Sequence, residues 1–172
     1  MGKSLLIFGA GGHARVVAET AEAMKNADGQ KIYERIDFLD DHLEHAVGSL
    51  KDLEVKGQEY DEAFCGIGNN ELRKQLLEQS EVLKLIVPTL VHPTAYVSPS
   101  ADVGKGTVIE PGAVINANAV IGAGCIVSVG AVIDHDATVE EYAHVNAAAV
   151  CKARSRVGAG AKIDAGMIVE ES

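Results

Sequence analysis

From Val91 onward the hydrophobic pattern of the chain keeps a strict period of six. Val91, Val97, Val103, Ile109, Ile115, Ile121, Val127, Ile133, Val139, Val145, Cys151, Val157, Ile163 and Val169 follow one another six apart, and thirteen of these fourteen are Val or Ile. A second register, four residues after each, runs from Ala95 to Met167, and nine of its thirteen positions are Ala. Ala119 and Ile121 stand two apart, so on one strand they face the same way, the large residue filling a core and the small one letting the next turn pack close. The positions between are rich in Gly, Asn, Asp and Pro, as in Glu110-Pro111-Gly112 and Gly122-Ala123-Gly124, which suit sharp corners. Such phasing predicts a parallel β-helix of hexapeptide repeats, three sixes to a triangular coil. The 83 residues from Leu90 to Ser172 make four to five coils, stacked about 4.8 Å apart.

The first 88 residues follow a different rule. An apolar run from Ser4 to Ala10 meets a glycine turn, and Ala14, Val16, Val17, Ala18, Ala21 and Met24 then recur at helical spacing. Ile36–Leu39 runs into Asp40-Asp41, Ala63–Gly68 runs into Asn69-Asn70, and Glu71–Glu78 reads as a helix entered from the Asn pair. Lys84–Val87 is expected as a last short strand before Pro88. This alternation predicts a small α/β Rossmann-like domain over residues 1–88, followed by the β-helix domain over 89–172. A ligand of the first domain is expected at the carboxyl edge of its strands.

Composition narrows the function. The chain is 47% hydrophobic but only 4% aromatic, without Trp, so its core is built from small aliphatic side chains. Fifteen Lys and Arg face 25 Asp and Glu, for a net charge of −10, and no segment is dense in cations, which argues against nucleic-acid and anionic-membrane partners. The apolar run Leu5–Phe8 is too short for a secretion signal, no stretch approaches a membrane span, and Cys65, Cys125 and Cys151 lack metal-ligand spacing. A cytoplasmic protein acting on a small molecule is expected, with no metal. Gly9-Ala10-Gly11-Gly12-His13-Ala14 fits G-x-G-x-x-A, a tight turn whose N–H groups can meet an anion. That motif also serves plain strand–helix packing; Asp40-Asp41, at a strand end where a carboxylate can accept from ribose hydroxyls or a base, also fits a solvated turn, and the Asn pair fits helix capping. His135 stands between Asp134 and Asp136, two positions after the inward Ile133, and so points outward from a corner. A neighbouring carboxylate holds one imidazole tautomer and raises basicity, as a general base near neutral pH requires. His42, His45 and His92 belong to no motif and read as surface residues, and Cys125 and Cys151 as core filler.

Four ordered pieces resemble the sugar acetyltransferases of the NeuD and PglD type: Phe8–Val17, Phe38–Asp41, Gly66–Arg73 and Val132–Asp136. The resemblance implies a Rossmann-like domain joined to a left-handed β-helix, a homotrimer, and transfer of acetyl from acetyl-CoA to the amino or hydroxyl group of a nucleotide-linked sugar destined for a surface glycan or glycoprotein. It implies that Gly11, Gly12, His13, Asp40, Asp41, Gly68, Asn69 and Asn70 hold the nucleotide-sugar. His135 becomes the general base with Asp136 orienting it, and His144 and Ala165 lie at the acetyl-CoA groove. His135 and His144 are half a coil apart and belong to different edges of the prism, so they share one site most easily when they come from different subunits. The pattern departs from the family at Ser128, Ala153 and Ala165, and relatives commonly run on for further coils beyond the position of Ser172. The alternative reading is therefore a trimeric nucleotide-sugar-binding protein without acyl transfer. A bare trimerisation scaffold ranks lower, and NAD-linked redox chemistry lower still, for want of a second mononucleotide half.

Overall fold

The computed structural model describes residues 2–42 and 46–171; the expectation for His45 lies outside the described residues. The chain divides into two compact units, residues 1–88 and 89–172. The first unit is a parallel sheet of three strands, β1 (Lys3–Phe8), β2 (Tyr33–Leu39) and β3 (Glu62–Cys65), in the order β2-β1-β3, with helices α1 (Gly12–Ala23), α2 (Leu53–Lys56) and α3 (Asn70–Val82). Leu5, Leu6, Ile7 and Phe8 are buried throughout, which explains why β1 reads as a continuous apolar run rather than an alternating one. Gly66 follows β3 where a Cβ would come 2.7 Å from the Cα of Ala14, so its lack of a side chain lets α1 lie against the sheet.

The expected strand at Lys84–Val87 does not form. Lys84 takes a positive φ of 58°, and among the described residues the one ladder-like contact there is the Ala63 N–H donating to the Ile86 carbonyl at 2.9 Å. With Pro88 close behind and one bond in place of a ladder, the apolar run ends as an extended flank of β3. The helix expected over Glu71–Glu78 is longer, Asn70–Val82, because its amphipathic face continues through Leu76, Leu77 and the buried Ser80, whose hydroxyl donates to the Leu76 carbonyl.

The second unit is a left-handed parallel β-helix, and its register is the one the six-residue period predicts. Its strands are two residues long and fall into three sheets. The first carries Leu90–Val91, Val108–Ile109, Ile126–Val127, His144–Val145 and Lys162–Ile163; the second runs from Tyr96–Val97 to Ile168–Val169; the third runs from Asp102–Val103 to Arg156–Val157. Val91, Ile109, Val127, Val145 and Ile163 pair in succession, each 18 residues from the next, as do Val97, Ile115, Ile133, Cys151 and Val169. The alanine register lies inside with them, and Ala113, Ala119, Ala131, Ala137, Ala143 and Ala149 are fully buried in one core with the Val/Ile columns.

The corners have a backbone rule of their own. Positions 106, 112, 118, 124, 130, 136, 142, 148, 154, 160 and 166 all take φ between 54° and 69°, the left-handed region. Six of them are glycine, and Asn118, Asp136, Tyr142, Ala148 and Arg154 fill the others. At eight of these positions the amide reaches across to a carbonyl on the coil before: the Gly124 N–H donates to the Lys105 carbonyl at 2.9 Å, Asp136 to Ala117 at 3.0 Å and Arg154 to His135 at 3.1 Å. Corner peptides thus satisfy one another along the axis instead of facing water unmatched.

Candidate active site

The corner between the second and third sheets presents His135. Its imidazole Nδ1 lies 2.7 Å from Oδ2 of Asp136, and both side chains are about half exposed, at 48% and 44%. The Asp136 carboxyl is held below the usual carboxylate range, first by that histidine and then by the Asn118 amide, with the Arg154 charge one coil on also contributing. A carboxylate can only accept, so Nδ1 carries a proton, and in the neutral ring that leaves Nε2 as the acceptor. Asp134, on the other flank, does not reach the ring; its Oδ1 accepts the backbone N–H of His135 at 2.8 Å and the Asn116 amide at 2.9 Å, which lowers its pKa. Ala117 and Ala153 occupy the equivalent corner positions one coil before and one coil after, so neither neighbouring coil crowds the imidazole with a long side chain. A half-exposed imidazole whose Nδ1 is tied to a carboxylate is an arrangement that can accept a proton at Nε2.

The other residues named from the sequence are placed as follows. His144 alternates with the inward Val145, so its side chain leaves the prism, but it is not on an open surface. It is 8% exposed and its Nε2 lies 3.2 Å from the Ser128 hydroxyl, itself 7% exposed. Ala165 is exposed on the corner between the first and second sheets. His135, His144 and Ala165 therefore occupy three different places around the prism, and a single β-helix does not bring them together. The cysteines are no nucleophiles: burial pushes Cys65 up to about 12 and Cys151 up to about 11, so their thiols stay protonated at neutral pH. Cys125 is fully buried in the core.

In the first unit, the glycine turn lies where β1 runs into α1. Gly9 requires its left-handed φ of 87°, and its N–H donates to the Leu39 carbonyl at 2.7 Å. Gly11 caps α1 without a side chain, no acid lies in the first turn, and a Cβ added at Gly11 or Gly12 would meet nothing within 4 Å. The positive end of this helix is thus open to an anion, and His13 lies in the same turn. Asp40 is committed to shaping that turn: Oδ2 accepts the Ala10 N–H at 2.9 Å and Oδ1 the His42 N–H at 2.8 Å. Asp41 accepts the Leu50 N–H at 3.0 Å. Both acids therefore brace the loops around the turn.

Gly68 also faces open space. Asn69 caps α3 by accepting the Leu72 N–H at 2.9 Å, while Asn70 Oδ1 accepts from Arg73, which is 1% exposed and also donates to the Ile67 carbonyl. Sequence reading quoted Arg73 in its motif without seeing that it buttresses the 67–70 turn, and it missed Asn116 and Asn118 altogether. The signal for those two was available, because each lies 18 residues, one coil, before an acid that flanks His135. Among the described residues no cluster of His, Cys, Asp and Glu could hold a metal ion, and no helix is long and apolar enough to cross a membrane.

A β-helix of hexapeptide repeats with a histidine–carboxylate pair on an exposed corner, in one chain with a small α/β unit that opens a glycine turn, defines a two-unit hexapeptide-repeat acetyltransferase. Comparison with known proteins agrees. Residues 4–80 match the PglD N-terminal domain, and residues 91–172 match the GMPPB C-terminal domain. The acetyltransferase domain of PglB from Neisseria gonorrhoeae is 33% identical over 98% of this chain and 82% of that one, with a TM-score of 0.89, and it has also been solved in complex with acetyl coenzyme A. Perosamine N-acetyltransferase from Caulobacter crescentus, solved with CoA and GDP-perosamine as a variant in which one histidine is replaced by asparagine, is 25% identical over 96% of this chain and 90% of that one, with a TM-score of 0.74. WeeI from Acinetobacter baumannii shares the fold at 17% identity, over 98% of this chain and 92% of that one, with a TM-score of 0.72. The chain belongs to the PglD-type family of sugar acetyltransferases.

Proposed function

We infer that the protein transfers the acetyl group of acetyl-CoA to an amino group on a nucleotide-linked sugar, with His135 as general base. The observation that carries this reading is the Asp136-bound imidazole of His135, ring exposed, on the corner of a β-helix whose relatives are solved with CoA, acetyl-CoA and GDP-perosamine. Nε2 takes a proton from the acceptor amine as its nitrogen bonds to the thioester carbonyl carbon. As the C–S bond breaks, the imidazolium is positioned to return that proton to the departing sulfur. Asp136 keeps its own charge throughout and stabilises the imidazolium.

The open, uncapped start of α1, with Gly11, Gly12 and His13, suits the phosphates of the nucleotide-sugar, and Gly68, Asn69 and Asn70 line the neighbouring strand end; Asp40 and Asp41 support the loops between. His144 and Ala165 are assigned to the acetyl-CoA groove. Their separation from His135 around the prism supports a homotrimer in which one subunit's His135 meets another's His144. Buried cysteines and an acidic surface suit the cytoplasm, and a surface glycan or glycoprotein is the destination of the product. His135→Ala tests the chemistry: turnover should fall by about three orders of magnitude, while light scattering still reports a trimer. Full activity in that variant overturns the mechanism, and a monomer overturns the shared site.

A further inference from the structure

Two asparagines on the coil that precedes His135 grip the two acids that flank it. Asn116 donates to Asp134 Oδ1 at 2.9 Å and Asn118 donates to Asp136 Oδ1 at 3.2 Å. The contact at 118 is the more consequential, because Asp136 uses its other oxygen, Oδ2, on the imidazole. A carboxylate on a short side chain turns about χ2 through a broad, shallow well, and an exposed one is ordinarily free to rotate or to turn to solvent. Fixing Oδ1 to the coil below removes that freedom and leaves Oδ2 aimed at Nδ1.

Asn118 is itself held. Its φ of 58° matches the 59° of Asp136, its backbone N–H donates to the Ser100 hydroxyl at 3.1 Å, and that hydroxyl lies 3.1 Å from the Ser98 hydroxyl. Ser100, Asn118, Asp136 and Arg154 thus form one corner column at intervals of 18 residues. Above the dyad, the Arg154 guanidinium hydrogen-bonds Glu171, 2.6 Å from its Nε. Asp136 is therefore hydrogen-bonded from below by a neutral amide, while the Arg154 charge above acts on it at longer range and hydrogen-bonds Glu171 instead.

We propose that Asn118 is a positioning residue for acetyl transfer: by fixing the Asp136 carboxylate it holds His135 in the single tautomer that leaves Nε2 unprotonated toward the acceptor. Asn116 does the same for the backbone on the other side, through Asp134 and the His135 N–H. The inference rests on the reading of His135 as the base, but it has its own observable.

The decisive variant is Asn118→Gly. Glycine adopts the left-handed conformation without steric cost, so this substitution removes the amide and leaves the corner backbone unstrained, which Ala would not. Long-range nitrogen–proton NMR of the His135 ring reports the tautomer directly and needs no turnover. In the wild type the ring should be protonated at Nδ1, and in Asn118→Gly it should become a mixture of the two tautomers. In the acetyl-transfer assay with a GDP-linked 4-amino sugar, kcat should fall about tenfold, the value of one hydrogen bond to a charged group, while KM for both substrates and the thermal midpoint hold.

An unchanged tautomer, or an unchanged kcat, in Asn118→Gly overturns the positioning role. So does a loss of kcat accompanied by collapse of the thermal midpoint, since the effect would then be structural. A wild-type enzyme with no acetyl transfer, whose His135 tautomer nevertheless depends on Asn118, overturns the functional reading and leaves the positioning standing.

Discussion

His135 and Asp136 are adjacent in sequence, yet their side chains meet at 2.7 Å because Asp136 takes a left-handed φ of 59° and turns its carboxylate back over the preceding ring. Adjacent residues on a strand would point to opposite faces. The contact exists only because the pair occupies the two tip positions of a corner.

The first prediction follows from that contact. Asp136→Asn keeps a residue tolerant of left-handed backbone, so the fold should be intact, but the amide can donate to Nδ1 and so favour the wrong tautomer. The kcat should fall on the order of a hundredfold, less than for a fully buried dyad because solvent also reaches this one. Steady-state kinetics and a thermal melt on the same preparation check it, and wild-type kcat would remove Asp136 from the mechanism.

Packing at the corners supplies a second test. A Cβ at Gly122 would come 2.6 Å from the backbone nitrogen of Glu141 in the next coil, and backbone cannot swing aside as a flexible side chain can. Gly122→Ala should destabilise the β-helix by about 2–3 kcal/mol. Gly112→Ala meets no atom, and its cost, about 1–2 kcal/mol, comes from the left-handed φ of 68° alone. Chemical denaturation should rank the two in that order.

Strain at the corners also predicts a gain. Ala148 sits at φ 54°, where a Cβ crowds the following carbonyl. Ala148→Gly should raise stability by about 0.5–1 kcal/mol, the relief of strain outweighing the added freedom of the unfolded chain. A lower thermal midpoint in this variant would mean that the alanine methyl contributes packing that outweighs the strain.

The corner charges set the response to acid. Asp134, Asp136, Glu140 and Glu171 are all held below their ordinary values of 3.8 for Asp and 4.5 for Glu, by amide, histidine and arginine partners. A depressed carboxyl favours the folded state above its ordinary value, and that contribution is lost as pH falls through the folded value. The thermal midpoint should be level from pH 7 to about 5 and decline below about 4.5. None of the four is buried, and Asp136 and Glu171 are exposed, so the decline should be shallow and should diminish further in high salt. A drop that begins near pH 6 would point to a histidine instead.

The β-helix was legible in the sequence because its core repeats without interruption. Once Val/Ile and Ala positions recur every six residues, strand direction, coil length and the outward aspect of His135 follow from counting. What counting on those two columns did not show was the corner. The left-handed position is glycine only about half the time, so Tyr142, Ala148 and Arg154 concealed a third column as regular as the others. Asn118 was missed for the same reason, since its partner lies 18 residues away and a search for motifs looks among neighbours.

In the α/β unit, composition overstated one element. Lys84–Val87 has a strand's composition, but the Lys84 turn and Pro88 leave it a single bond to β3. Asp40 and Asp41 read as ligand contacts, and their hydrogen bonds to the Ala10, His42 and Leu50 N–H groups, which brace the loops, lay beyond what a strand-end motif shows. The burial of His144 could not be read from alternation, which distinguishes inward from outward but not outward from exposed.

The eighteen-residue register has a consequence for how such a chain can change length. Because each inner column pairs residue for residue across one full coil, a gain or loss of eighteen residues leaves every column in phase and every corner on its own edge. A gain or loss of six keeps the core equally satisfied but rotates all later chemistry by one edge of the prism. The core is blind to that rotation while the active site is not, so the lengths open to this architecture come in whole coils on the side of the histidine that must keep its bearing.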